Sequence, residues 1–188
     1  MDAPDAELMS RLAAGDDLAL NALMSRWSGR VSAFLYRMTG QREAAVDLAQ
    51  ETFVKLYQAR ERYKPQGNFS TYLFAIAANL ARNHSRWKAR HPTVSLDATD
   101  PDGTEVRSEP ADPKHTPGEA ALAREKSATV NRAILSLPLD LREALSLFIY
   151  EDLGYAEIAE LTRCSIKAVE TRIYRARQIL KEQLKDLR

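Results

Sequence analysis

The stretch from Arg62 to Leu96 contains no acidic residue, yet it carries six lysines and arginines with aromatic residues between them. The basic residues are Arg62, Lys64, Arg82, Arg86, Lys88 and Arg90. Aromatic rings can stack on unstacked bases, while lysine and arginine follow a phosphate backbone. The combination suits single-stranded or melted nucleic acid better than an intact duplex. A basic surface above aromatic core residues gives the same pattern, so both interpretations stay open for this stretch alone.

The helix that carries most of these residues is predicted to begin after a break at residues 63–69 and to end near residue 89. Ser70 is its predicted N-terminal cap. Apolar residues at helical spacing predict a buried stripe made of Leu73, Ile76, Leu80 and Trp87. Another face of the same helix gathers Tyr72, Asn79, Arg82, Asn83 and Arg86.

Residues 155–177 form the second candidate site, because a short and a long amphipathic segment are separated by only three residues. Ser165 can cap the second helix, and the small Ala159 allows two crossing helices to approach closely. This pattern favours a helix-turn-helix that binds DNA over a solvated surface helix. Arg163 stands where such turns often have glycine, so we expect either a different turn or a cost of about 1–2 kcal/mol.

The second helix of that motif has two predicted faces. Its buried side consists of Ile166, Val169, Ile173 and Leu180. Its exposed side offers hydrogen-bonding side chains edged with positive charge, which suits a DNA major groove. The exposed residues are Lys167, Glu170, Thr171, Arg172, Tyr174 and Arg175.

Two carboxylates one helical turn apart, Asp47 and Glu51, share a predicted face with Gln50 and Val54. An ordinary wet surface, a docking patch for another protein, and an acid–base or metal site all remain open for this face. The metal alternative is weak, because no histidine or further carboxylate is placed nearby in the sequence. The predicted core positions of this helix are Val46, Ala49, Phe53 and Leu56.

The elements that must position these residues are all predicted to be helices, since no segment shows sustained alternation. The fold class is therefore all-α, with two small domains. Residues 92–117 are rich in proline, aspartate, serine and threonine and carry six acidic against two basic residues, which predicts a linker between domains 1–91 and 118–188. The other predicted helices cover about 6–14, 16–39, 42–62, 119–136, 138–150, 156–162 and 166–187.

Composition excludes several classes of protein. The single cysteine, Cys164, rules out a disulfide framework within the chain. The three histidines show no ligand spacing, and the seven glycines form no phosphate-binding loop, so we expect no metal and no cofactor. The chain lacks a predicted membrane span or signal peptide, which predicts a cytoplasmic location.

Three segments resemble one known family. Residues 47–57 (DLAQETFVKLY) resemble the region 2.2 helix of bacterial RNA polymerase sigma factors. Residues 68–83 (NFSTYLFAIAANLARN) resemble regions 2.3 and 2.4 of the extracytoplasmic-function (ECF) group of the sigma-70 family. Residues 135–144, with the helix-turn-helix that follows them, resemble region 4. The resemblance covers about 10–90 and 118–185, and it implies a promoter-reading transcription subunit that is not an enzyme.

The resemblance also implies roles for individual residues. Core polymerase, through its β′ clamp coiled coil, would meet Asp47, Gln50, Glu51 and Val54, and the β flap is a second expected contact. The −10 element would meet Tyr63, Asn68, Phe69, Tyr72, Asn79, Arg82, Asn83 and Arg86. The −35 duplex would meet Lys167, Glu170, Thr171, Arg172, Tyr174 and Arg175. An anti-sigma factor is a further expected partner.

Two other functions remain open at this point. A helix-turn-helix repressor or activator with an N-terminal sensing domain would bind an operator tightly without polymerase. A small hydrolase or metal enzyme would use Asp47 and Glu51. Glu170 departs from the family, in which a neutral or basic residue is common; an acidic side chain there repels phosphate but can accept from a cytosine amino group.

Overall fold

The computed structural model describes residues 4–64, 67–91 and 117–185, and no strand occurs among them. The predicted all-α fold is confirmed. The predicted linker lies outside the described residues except for Pro117, which begins a helix. The helices are α1 (Asp5–Ala13), α2 (Leu18–Thr39), α3 (Arg42–Gln58), α4 (Phe69–Arg90), α5 (Pro117–Ser136), α6 (Leu139–Tyr150), α7 (Tyr155–Thr162) and α8 (Ile166–Gln183), with a short 3₁₀ turn at Arg60–Arg62.

Most helix ends follow from local chemistry. Gly40 closes α2 in the left-handed conformation (φ 71°), and the Ser165 side chain accepts from the Ala168 N–H at the start of α8, as predicted. The prediction that Ser70 caps α4 is wrong, because the helix begins at Phe69 and Ser70 already lies in its first turn. The third helix ends at Gln58 instead of residue 62, since the chain tightens there into the 3₁₀ turn.

Arg163 takes the left-handed conformation that this turn requires, with φ 55° and ψ 48°. The N–H of Arg163 donates to Glu160 O and that of Cys164 donates to Ala159 O, which satisfies the end of α7. Of the two predicted alternatives, the structure therefore has the usual turn with a strained arginine in place of glycine.

The N-terminal half, residues 4–91, is built around aromatic rings from α2 and α4. Phe34 and Phe74 are fully buried and meet edge to face, with 5.4 Å between their ring centroids. Trp27 packs against the same Phe74 ring at 6.2 Å. Small residues of α4, such as Ala77 and Ala78, are buried and let neighbouring helices approach.

Three residues predicted to be buried are exposed. Val46 is 44% exposed, because the buried stripe of α3 runs through Ala45, Leu48, Ala49, Thr52, Phe53 and Leu56 and leaves Val46 on the opposite side. Trp87 is 51% exposed, since it lies beyond the last buried position of α4, and its ring stacks on His91. Ile166 is 55% exposed at the first turn of α8.

The C-terminal half, residues 117–185, packs α6, α7 and α8 around Leu147, Ile158 and Val169, all fully buried. Ile173 is also buried, as predicted, and Leu180 is half-buried. The two halves touch each other: α2 packs against α5 and α6, and α4 packs against α7. These contacts decide which candidate binding residues are accessible.

Candidate nucleic-acid interface

The N-terminal end of α8 brings the predicted duplex-reading residues together. Lys167, Thr171, Arg172 and Arg175 line a shallow groove of about 400 Å³, whose opposite wall is formed by Asp140 and Leu141 of α6. No acidic residue lies in the first turn of α8, so no carboxylate of that turn offsets the positive end of the helix dipole. The groove therefore offers both positive charge and hydrogen-bond donors to an anionic ligand.

Within this groove the side chains differ in how firmly they are held. The Arg172 Nε lies 3.3 Å from Asp140 Oδ2, and its Nη1 lies 3.5 Å from the Cys164 sulfur. Arg172 is thus oriented by contacts within the protein, whereas Arg175 and Tyr174 are exposed. Arg175 is consequently the arginine of this groove that is best placed to reach a base edge.

Glu170 does not stand alone on the exposed face of α8. Its Oε2 lies 2.9 Å from the Lys167 Nζ, one turn earlier. Both side chains are largely exposed, so the pair contributes little to stability. It does reduce the local negative charge that would otherwise repel phosphate.

The polar face of α4 is the second part of the candidate interface. Asn79, Asn83 and Arg86 are exposed and lie along one side of the helix, as predicted. The Arg86 Nη2 donates to Asn83 Oδ1 at 2.8 Å, which orients the amide. No acidic residue occurs in α4, so this face is positive or neutral throughout.

The aromatic residues near the start of α4 do not all remain available. Phe69 is only 6% exposed, and its ring meets the Trp27 ring edge to face at 5.7 Å. This burial contradicts the expectation that Phe69 contacts DNA directly, because the first turn of α4 inserts the ring into the core. Tyr63 and Tyr72 are half-buried and pack edge to face at 5.1 Å, and burial raises the pKa of both phenols.

Two further members of the predicted −10 set are hydrogen-bonded to the C-terminal half. The Asn68 Nδ2 donates to Glu157 Oε1 at 2.7 Å. Arg82 Nη1 donates to Glu143 Oε1 at 2.5 Å. In this conformation the half-buried Arg82 is engaged by a carboxylate, whereas Asn68 is hydrogen-bonded but remains exposed.

The predicted docking face of α3 is open. Asp47, Gln50, Glu51 and Val54 are all exposed on one side of the helix. Val46 joins them, so two exposed valines flank the polar residues. The face therefore presents carboxylates, an amide and two apolar side chains that a partner protein could reach.

In the described part of the chain, no three histidine, cysteine, aspartate or glutamate side chains are grouped so that they could hold a metal ion. Asp47 and Glu51 thus gain no third ligand there, and His115 lies outside the described residues. The helices of the described segments also include none that is long and apolar enough to cross a bilayer.

Comparison with known proteins identifies the family. A model of Sigma-70 region 2 matches residues 23–91, and a model of Sigma-70, region 4 matches residues 127–180. The RNA polymerase sigma-H factor of Pseudomonas aeruginosa is 34% identical over 184 residues, which is 97% of this chain and 95% of that protein. The chain belongs to the sigma-70 family of RNA polymerase sigma factors.

Other relatives place this sigma factor in the ECF group, as the resemblance predicted. The ECF RNA polymerase sigma-E factor of Haemophilus influenzae is 33% identical over 188 residues, covering 97% of this chain and 96% of that protein. Among solved structures, CnrH in complex with the cytosolic domain of CnrY superposes with a TM-score of 0.67 at 26% identity and covers 97% of both chains. Sigma factors are transcription initiation factors, which agrees with the predicted class of function.

The sequence patterns missed the acidic residues through which the C-terminal half of this sigma factor contacts the N-terminal half. These are Glu143, Glu151 and Glu157. One signal was present, because Glu143 stands four residues from both Leu139 and Leu147 on one side of α6, and a carboxylate on an apolar side of a helix needs a partner. Nothing in the sequence identified the partner, which lies 61 residues away in the chain.

Proposed function

We propose that this sigma factor binds core RNA polymerase and directs promoter-specific initiation, with α8 contacting the −35 duplex and α4 contacting melted −10 DNA. The observation that carries this proposal is the presence, in one chain, of a basic groove at a capped recognition helix and a separate acid-free face of Asn79, Asn83 and Arg86. Residues 1–91 and 118–188 would be the two working domains, joined by 92–117. Polymerase would supply the catalysis, and this chain would act without a cofactor.

Opening of the duplex follows from trapping of the exposed strand. Extrusion of a base costs a few kcal/mol, and stacking and phosphate contacts at a protein surface can offset that cost. Tyr63 and Tyr72 are the half-buried rings nearest the start of α4, and the amides of Asn79 and Asn83 can pair with base edges. Phe69 would then act as a core residue that supports Tyr63, whose ring lies 6.4 Å away.

The contact with duplex DNA makes a specific prediction for Arg175. Replacing Arg175 with alanine is expected to cost about 1–3 kcal/mol at one −35 base pair, because a bidentate contact to a guanine would be lost. The measurement is transcription, or holoenzyme binding, on templates that carry every single substitution in the −35 element. If the variant bound all templates more weakly by the same factor, Arg175 would contact a phosphate and would not read a base. The exposed Lys126 of α5, replaced with alanine, is the control.

The α3 face makes a prediction for core polymerase. Replacing Glu51 with lysine is expected to lower the recovery of core polymerase about tenfold or more, because the side chain is exposed and a charge reversal in a complementary interface is repulsive. Glu61, which is also exposed but lies in the 3₁₀ turn, is the matched site for the same reversal. Equal recovery of both variants in a pull-down would remove the docking assignment.

The C-terminal half offers a separate apolar surface for the β flap of polymerase. A groove of about 680 Å³ lies between α5, α6 and α8, with Val130, Ile134, Leu145, Ile149 and Leu180 among its lining residues.

An anti-sigma factor is also proposed as a partner of this chain. The similar protein CnrH was solved in complex with the cytosolic domain of another protein, CnrY.

The proposed function is tested by in vitro transcription on a promoter library with added core enzyme. We expect transcripts only when both core enzyme and this chain are present, and the transcribed templates should share two elements at a fixed spacing. A repressor or activator would instead select a single operator from the same library in the absence of polymerase. A hydrolase that uses Asp47 would enrich no template at all.

A further inference from the structure

Trp87 and His91 form an exposed aromatic pair at the C-terminal end of α4. Their rings are stacked, with 5.0 Å between the ring centroids and an angle of 23° between the ring planes. Trp87 is 51% exposed, and His91 is exposed as well. Two stacked rings that remain open to solvent present a flat surface to which a further ring can be added.

The end of α4 holds this pair in place. The carbonyl oxygen of Trp87 accepts from the backbone N–H of His91 and from the His91 Nδ1, each at 3.0 Å. Because a carbonyl oxygen can only accept, Nδ1 carries the hydrogen of the second bond. The imidazole is therefore oriented by the same carbonyl group that closes the helix, so little freedom remains to be lost when a ligand stacks on the pair.

The residues beside the pair are basic. Arg86, Lys88 and Arg90 are all exposed. The Arg86 Nη2 donates to Asn83 Oδ1 at 2.8 Å, and the Arg90 Nε donates to the carbonyl oxygen of Arg86 at 3.3 Å. Both acceptors are neutral, so these bonds leave the positive charges in place. Basic residues are also favourable at this end of a helix dipole, and charge alone would therefore not define a ligand.

The combination of rings and charge does define one class of ligand. Proteins that hold single-stranded nucleic acid pair a positively charged path for the phosphates with aromatic rings on which bases stack. A base in a duplex already has both faces stacked, so a flat aromatic surface is suited to an unpaired base. The pair at the end of α4 has both features within one helical turn.

The pair also continues the face of α4 that is proposed to contact melted −10 DNA. Asn79, Asn83 and Trp87 follow one another at intervals of four residues, and all three are exposed. Each interval corresponds to about 6 Å along the helix axis. A strand that contacts the two amides can therefore reach the indole within one further turn of the helix.

We propose that Trp87, backed by His91, is a stacking site for one unpaired nucleotide at the edge of the melted −10 segment. This inference rests on the proposed function and adds a contact outside the −10 set named above. An aromatic plane accepts any base, so the site stabilises the open strand without selecting a sequence. Arg86, Lys88 and Arg90 attract the phosphates of the same strand.

The test measures binding of holoenzyme, assembled from core polymerase and the full-length chain, to a promoter from the library whose −10 segment has been made unpaired. Trp87→Ala is expected to weaken this binding about tenfold, because one base loses its stacking partner. Trp87→Phe keeps an aromatic plane and should lose less than about threefold. Leu18→Ala is the matched control, since Leu18 is 73% exposed in α2 and belongs to no proposed site; this variant should bind as the wild type does.

Abasic sites then identify the stacked nucleotide. They are placed one at a time along each strand of the unpaired segment. At the stacked position, loss of the base should weaken binding by the wild-type holoenzyme about tenfold and should not weaken binding by the Trp87→Ala holoenzyme any further. At the other positions, the effects of the abasic site and of the substitution should multiply.

The outcomes separate this inference from the proposed function. Equal binding by the wild type and Trp87→Ala would overturn the stacking site and leave the proposed function standing. Multiplying effects at every abasic position would also overturn it. So would a lower recovery of core polymerase by Trp87→Ala, because the rings would then contact a protein. Failure of the wild-type holoenzyme to bind the unpaired promoter would instead overturn the proposed function.

Discussion

Replacing Glu151 with alanine is expected to separate the two halves of the free chain. The arrangement in which α6 packs against α2, here called the closed form, should be destabilised by about 3–5 kcal/mol, because Arg37 would be left buried without its partner. The Arg37 side chain is only 12% exposed, and it also lies over the Tyr150 ring at 3.9 Å. Alanine removes both acceptor oxygens, so the guanidinium would have to return to water. Separation of the two halves returns the Arg37 guanidinium to water without unfolding either half.

Small-angle scattering of the free chain measures this effect as an increase in the radius of gyration. Arg30 provides the internal comparison, because it bonds the same carboxylate but is 44% exposed. Its replacement with alanine should change the radius little, since no charge is stranded by it. A Glu151→Ala protein that stayed as compact as the wild type would show that the ion pairs do not hold the halves together.

The second large effect is a dependence of closure on pH. Burial raises the pKa of Glu151 to about 7, and the neighbouring Arg37 and Arg30 oppose that shift only in part. In the open chain the carboxyl would titrate near its ordinary value of 4.5. Between these two pH values, packing of the two halves against each other is therefore coupled to the uptake of a proton by Glu151. The stabilisation of the closed form by protonation of Glu151 is complete below pH 4.5 and is lost as the pH rises through about 7.

The closed form is accordingly expected to gain about tenfold over the open form when the pH falls from 8 to 6. Glu143 contributes in the same direction, because burial raises its pKa as well, while Arg82 and Arg172 oppose the shift. Glu157 contributes only at acid pH, since its pKa is lowered. Scattering at both pH values measures the change.

Glu151→Gln is the control for this pH effect. Glutamine keeps an acceptor for Arg37 and Arg30 but cannot titrate, so the variant should remain closed and should respond less to pH. An unchanged pH response in that variant would assign the effect to other groups. The glutamine variant loses only the charge of Glu151, whereas the alanine variant loses the charge and the hydrogen-bond acceptor, so comparison of the two isolates the effect of the acceptor.

The helices and their functional faces could be predicted because they depend on local periodicity and capping. Ser165 as the cap of α8 and the left-handed end of α2 at Gly40 are set by residues a few positions apart. The grouping of Asn79, Asn83 and Arg86 follows from helical spacing alone. For the same reason the four residues of the α3 docking face were found together.

The predictions failed where tertiary packing selects among possible faces. Spacing at three and four residues allows Val46 to join Ala49 and Phe53, yet the helices packed against α3 bury the side centred on Leu48 and Thr52. Trp87 continues an apolar stripe, but about half of its side chain stays exposed at that end of α4. Phe69 looked like a loop aromatic, and it is instead the first core residue of α4.

Accessibility of the −10 residues could not be predicted in any way from one sequence. Asn68 meets Glu157 across 89 positions of chain, and Arg37 meets Glu151 across 114. A glutamate in α6 or α7 reads as an ordinary surface residue until the opposite half is known. Arg82, which was assigned to DNA, is thus also one of the residues through which the two halves are in contact.

Size-exclusion chromatography with purified core polymerase in mild salt decides whether this chain works as a subunit of RNA polymerase. The wild-type chain and Glu61→Lys should elute with core polymerase, whereas Glu51→Lys should elute separately. Elution of the wild-type chain apart from core polymerase would mean that the chain is not a polymerase subunit.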